Sequence, residues 1–292
     1  MLEKYKEAGE IVKKAKKRAR DIVKPGVKLL DIANEIEALI GKEGGKPAFP
    51  VNISIDDIGA HYTPDADDAS VIKDTDLVKV DVGAHVDGYI ADSAITLSMS
   101  KDETHLKLIK AAEDALEVAI KAVRPGVKVN EIGAAVEMVI TGAGFKPIEN
   151  LTGHGLDQYS LHAGLTIPNV KNSNEAVLED GQAVAIEPFA TNGAGTIYDS
   201  NEVHIYEFLM DRATRQRDGR RILKMAEEDF ATLPFATRWL TGIPKMKLGL
   251  ALKELVNLKA LYQYPVLKER ESGLVSQAEH TVIVGEKPIV TT

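Results

Sequence analysis

A four-residue phrase occurs twice in this chain at a fixed offset, and that repeat constrains the fold more than any other feature. Pro25-Gly26-Val27-Lys28 returns as Pro125-Gly126-Val127-Lys128, and Lys46-Pro47 returns as Lys146-Pro147, each 100 residues on. Further along the offset becomes 106, where Val71-Ile72-Lys73-Asp74 before LVKVDVGA answers Val177-Leu178-Glu179-Asp180 before AVAIEPFA. The two acids Asp81 and Glu187 then fall at equivalent strand positions. Pro-Gly after a helix is common enough to recur by chance. Matched acids inside matched strands argue instead for duplicated helix-then-strand lobes facing each other across one cleft.

Around this repeat the pattern is α+β. Apolar residues at helical spacing predict a helix from Leu2 to Val23, stopped by Pro25-Gly26, and a second from Leu30 to Ile40. The runs Asp76–Gly83 and Tyr89–Leu97 are β-rich and joined through the turn signal Asp87-Gly88, which predicts an antiparallel hairpin. With the loop centred near Val86-Asp87, Asp81 lies directly opposite Asp92, their Cβ atoms about 4.5–5.5 Å apart. The second half carries a further helical segment, at about 206–267, in which Arg220–Phe230 and Lys245–Lys259 have helical periodicity and LPFATRWL links them. The expected organisation is one domain over 1–292, with lobes at about 1–105 and 106–292 and this insertion in the second.

Composition narrows the chemistry. The 292 residues, 44% hydrophobic, suffice for a large core. The absence of cysteine removes disulfides and thiolate metal sites, so a metal would need His, Asp and Glu. No leader and no long apolar span are expected, which places the protein in the cytoplasm, away from membranes. A net charge of −8 disfavours specific nucleic-acid binding and suits a cationic substrate such as a free amino terminus.

Four acids then stand out in apolar strands: Asp81, Asp92, Glu187 in GQAVAIEPFA and Glu279 in LVSQAEHTVIV. Any of them alone reads as a structural ion pair, and the two aspartates as turn-flanking surface residues. Together they have too few basic residues in comparable strands to neutralise them, and buried carboxylates need a cation. His154, between two glycines in LTGHGL, can bring an imidazole close. Carboxylates plus one imidazole suit a pair of Mn, Fe, Co or Zn ions better than Ca. His61 and His162, in turn-rich stretches of the two halves, read as hydrogen-bonded loop residues or as groups that hold substrate and stabilise an oxyanion. His85 and His280 are read as structural or as supporting the ligands from behind.

VDVGAHVDGYIADSA, GHGLDQYSLHAG, AIEPFA and QAEHTVIV resemble, in order and spacing, the motifs of methionine aminopeptidases with the pita-bread fold, over nearly the whole chain. The segment between Glu187 and Glu279 is similar to the helical insertion of the type II class, found in archaea and eukaryotes. The resemblance implies that Asp81 chelates one metal, that His154 and Glu187 bind the other, and that Asp92 and Glu279 bridge both. It implies substrate contacts at His61 and His162 and an apolar methionine pocket from Phe49, Leu161, Phe189 and Tyr264. The implied reaction is removal of the N-terminal methionine of nascent polypeptides with a small second residue, by a hydroxide shared between two divalent ions. Glu187 would relay the proton and His162 would donate to the oxyanion. One departure is visible: Ala278 stands where type II relatives carry a large aromatic.

Three alternatives remain at this point. Proline-specific aminopeptidases and prolidases share the fold, but usually have an added N-terminal domain. A pita-bread binding protein would have lost its ligands. A ribosome- or RNA-associated role would rest on Arg212, Arg215, Arg217, Arg220 and Arg221, a cluster whose ordinary reading is a solvated helix face. The expected state is a monomer with at most a transient ribosome contact.

Overall fold

A computed structural model describes all residues, Met1–Thr292. In the first half, helices α1 (Leu2–Ile22) and α2 (Leu29–Lys42) precede strands β1 (Lys46–Pro47), β2 (Asn52–Ile55), β3 (Ile58–Ala60), β4 (Leu77–Val86) and β5 (Tyr89–Ser98). The second half repeats the plan: α3 (Glu103–Ala122), α4 (Val129–Gly142), β6 (Lys146–Pro147), β7 (Thr152–Leu156), β8 (Thr166–Pro168), β9 (Ala183–Ile186) and β10 (Phe189–Thr191). The repeated phrase does the same work twice. Gly26 and Gly126 both take left-handed backbone, φ +87° and +82°, which glycine adopts without steric cost. Their amides donate to Ile72 and Leu178, and the bridges Lys28–Val71 and Lys128–Val177 follow at the two offsets. The cores match as well, a cluster of 20 buried apolar residues in the first lobe and one of 21 centred on the second, which takes in Leu77 of the first.

Helix α1 buries Tyr5, Ala8, Ile11, Val12, Ala15 and Ala19, one face at helical spacing, against β4 and β5. In the second lobe α3 packs on α4 and against β10 and β14. Antiparallel sheets therefore lie between the helices and the cleft.

Two sequence expectations are corrected. The hairpin loop is Asp87-Gly88, both residues at positive φ (+52° and +86°), the two-residue turn that suits strand twist. This places the centre one residue later than expected, so Asp81 pairs with Ala94 and Asp92 with Gly83. The two acids are diagonal neighbours on one face, roughly 7–8 Å apart at the backbone. Tyr206 does not begin a helical segment. It lies inside β11 (Ile197–Phe208), which pairs with β13 (Leu261–Glu269) as far as Phe208–Leu261.

Between those strands the chain forms α5 (Arg217–Met225), a π-turn over Ala226–Phe230, β12 (Phe235–Ala236), a 3-10 turn at Thr237–Trp239 and α6 (Lys245–Asn257). These elements share their own small core around Ile222, Phe235 and Leu252. The chain ends with β14 (Val275–Gln277), β15 (His280–Ile283) and β16 (Ile289–Val290). No helix is long and apolar enough to cross a membrane.

Candidate metal centre

The two lobes meet along strands. β9 and β10 would be one strand but for Glu187-Pro188, and β14 and β15 one strand but for Ala278-Glu279. The register on either side, Ile186–His280 and Phe189–Gln277, sets the two breaks opposite each other. Proline has no N–H to offer the ladder, and the backbone bond across the break is Ala278 N–H to Pro188 O, 3.3 Å. Freed from regular pairing, Glu187 and Glu279 both reach the cleft. The Glu279 amide bonds instead to Ala94 O at 3.2 Å, the residue opposite Asp81.

Hydroxyls complete the seam. Asp92 N–H donates to Thr281 Oγ1 (2.7 Å), whose hydroxyl returns a bond to Asp92 O (2.9 Å). Gln277 and Thr96 make the same reciprocal pair at 2.9 and 2.6 Å, and Ser93 Oγ donates to Glu279 O. Backbones carrying acids of both lobes are thus held by side chains of the opposite lobe.

Asp81 on β4, Asp92 on β5, His154 on β7, Glu187 and Glu279 line one cavity of about 340 Å³. Ligand atoms of Asp92, His154 and Glu279 lie within 4.8 Å of one another. His154 Nε2 stands 3.6 Å from Asp92 Oδ2 and 3.5 Å from Glu187 Oε1. Asp81 Oδ1 and Asp92 Oδ1 are buried with no hydrogen-bond partner. Burial pushes the Asp81 carboxyl up to about 7. Burial, followed by mutual repulsion, pushes Asp92, Glu187 and Glu279 well above the usual carboxylate range. His154 is pushed down to about 3 by burial and by His162, so its imidazole is neutral, the form that ligates metals. The nearby lysines do not neutralise the acids: Lys79 donates to the carbonyls of Val275 and Asp56, and Lys16 to Ser93 Oγ. Orphaned carboxylate oxygens, several acids and one neutral imidazole fit divalent transition cations.

The same cavity is lined by His61, His162, Phe49, Leu161, Phe189 and Tyr264. His61 has φ +64° and its Nδ1 lies 3.2 Å from Pro265 O, with its ring edge-on to Tyr264 at 5.3 Å. His162 sits 4.6 Å from His154, ring to ring. The Tyr264 hydroxyl donates to Glu207 and lies 3.5 Å from His162 Nδ1. Burial lowers the pKa of both histidines, that of His61 to about 4. A Cβ on Gly83 would meet the Phe49 ring at 2.1 Å, so this glycine permits the ring to lie on the strand.

Sequence reasoning passed over Asn52, Ile205, Pro234 and Gln277. The first three line the cavity, and Gln277 touches its acids. Gln277 was findable, since residues two apart in a strand share a face and Glu279 follows by two. Asn52, Ile205 and Pro234 carry no local signal; pairing of β2 with β4 and the return of the insertion bring them in. His85 and His280 lie outside this cavity: His85 Nδ1 accepts from Gly88 N–H in the hairpin turn, and His280 pairs with Thr292. Ala278 is buried on the opposite side, beside a second cavity bordered by Lys16, Leu116 and His280, where an aromatic side chain would project.

Comparison with known proteins bears on the family and the fold. Residues 3–228 match the model of metallopeptidase family M24. The chain is 50% identical over 279 residues to a methionine aminopeptidase of Thermococcus onnurineus, covering 95% of this chain and 94% of that protein. Among solved structures, a thermophilic Arx1 superposes with TM-score 0.87 at 20% identity, covering 99% of this chain and 90% of that one. The methionine aminopeptidase of Thermotoga maritima does so with 0.73 at 22%, covering 100% and 96%. Both show the same pita-bread fold. With its lobes, its acids and a half-identical relative all in agreement, this chain belongs to metallopeptidase family M24, among the methionine aminopeptidases.

Proposed function

We propose that the chain removes the N-terminal methionine from peptides and nascent polypeptides whose second residue is small. The observation that carries this reading is one cavity with both parts an exopeptidase needs: clustered acids with a neutral imidazole at one end, and an apolar wall of Phe49, Leu161, Phe189 and Tyr264 beside them. Asp81, Asp92, His154, Glu187 and Glu279 would hold two divalent ions of Mn, Fe, Co or Zn. When bound, such ions acidify a shared water and polarise the scissile carbonyl.

The chain's own groups supply the rest. Glu187 Oε1 faces His154 across the centre, where its carboxylate takes the proton of the attacking water and passes it to the departing amine. His61 Nδ1 faces a carbonyl, which places its proton there and leaves Nε2 to accept from a substrate N–H. Neutral His162, on the rim beside His154, donates to the carbonyl oxygen as charge develops on it. The reading includes a cytoplasmic monomer. A ribosome contact through the arginine cluster has less support, because Arg220 donates to Thr214 O and Arg221 to Gly242 O and Thr241 O, within the insertion itself.

The test is a peptide panel varying the first two residues, with chelator-stripped protein reloaded with Mn or Co. Release of methionine from Met-Ala peptides is the expected result. No turnover with any divalent ion overturns the reading, and preference for X-Pro bonds transfers the chain to the prolidase side of the fold.

A further inference from the structure

Gln277 is fully buried and its side-chain nitrogen is surrounded by acids. Its Nε2 lies 3.3 Å from Glu187 Oε2, 3.4 Å from Glu279 Oε2 and 3.5 Å from Asp81 Oδ2. With the three carboxylates ionised, as cation ligands are, all are acceptors, and the amide presents its N–H₂ edge to them. The backbone cannot drift, because both Gln277 main-chain groups are tied to Thr96 Oγ1 of the other lobe and β14 is paired with β10.

The pattern of oxygens used is informative. Gln277 addresses Oδ2 of Asp81, whose Oδ1 is buried without a partner. It addresses Oε2 of Glu187, whose Oε1 faces His154. One oxygen of each is satisfied and the other left toward the cleft. An amide does this without bringing a positive charge that would compete with a cation, as a lysine or arginine would.

We propose that Gln277 is a positioning residue for the cation site: its amide orients Asp81, Glu187 and Glu279 and thereby sets how tightly divalent ions bind. This rests on the two-metal reading above. Outer partners of metal ligands typically account for about 10–100-fold in metal affinity.

The experiment is calorimetric titration of chelator-stripped protein with Mn, comparing wild type with Gln277→Met, alongside circular dichroism and thermal melting in chelator. Gln277→Met keeps the length and removes the donor. It should keep the fold and lose roughly 10–100-fold in Mn affinity. A folded Gln277→Met with wild-type affinity overturns the inference. Wild type that binds no divalent ion overturns the two-metal reading itself, a distinct outcome. Should Gln277→Met fail to fold, Gln277→Glu decides: it should melt lower than wild type in chelator and regain stability on adding Mn. An unchanged melting point in chelator overturns the inference by that route.

Discussion

The strand pair that brings acids to the cleft is built differently in the two lobes. In the first, β4 and β5 form an uninterrupted hairpin ten residues long on each side, closed by Asp87-Gly88. Asp81 and Asp92 stand on it as diagonal neighbours. In the second, β9–β10 and β14–β15 come from segments about ninety residues apart, and both break where Glu187 and Glu279 face each other. The direct opposition expected of the aspartates is found for the glutamates. A local hairpin forms its ladder with little loop-closure cost and can carry acids as ordinary strand residues. The distant pair tolerates a break because Thr96 and Ser93 hold it from the other lobe and its own Thr281 bonds the Asp92 backbone there. Regular pairing positions one half of the site, and interrupted pairing positions the other.

The largest expected effect breaks this comparison at its acids. Glu187→Gln and Asp92→Asn should each lower kcat/KM on Met-Ala peptides by more than the roughly 100-fold associated with outer partners, while circular dichroism stays native. Retained activity in either would remove that residue from the centre. A smaller effect is expected in the unbroken hairpin. Gly83→Ala puts a Cβ into the Phe49 ring, and overpacking of this kind costs about 1–3 kcal/mol. A lower thermal midpoint and a raised KM for methionyl substrates should appear together; an unchanged KM would separate Phe49 from the substrate pocket.

The smallest effect concerns the tie between lobes. Lys79 on β4 is buried and donates to Val275 O of β14 at 2.8 Å and to Asp56 O at 3.1 Å. At the equivalent position, 106 residues on, stands Ala185. Lys79→Met leaves the Val275 carbonyl unpaired, while Asp56 O keeps the Val275 N–H, and it also removes the cost of burying an ammonium, so a net loss of about 1 kcal/mol is expected. Urea unfolding measures it. Stabilisation on substitution would show that the tether costs more than it contributes.

Much of this protein was readable in the chain. Paired phrases at offsets of 100 and 106 located the lobes because helix-ending glycines and their β-bridges are local, or nearly so. Acids in apolar strands flagged the carboxylates that line the cavity because burial of an unpaired carboxylate is costly wherever it occurs. The resemblance to a family added the expected apolar wall; His61 and His162 had already stood out in the turn-rich stretches of the two halves. What the sequence could not settle was register and convergence. One residue's difference in the hairpin turn moved Asp81 from facing Asp92 to facing Ala94, since turn geometry depends on two φ angles that composition leaves open. Asn52, Ile205 and Pro234 became cavity residues only when distant strands paired. Gln277 shows both sides: strand alternation put it on the face of Glu279, but only strand pairing brought Glu187 and only packing of the two lobes brought Asp81 to its amide, because contacts of that range are decided by the tertiary structure.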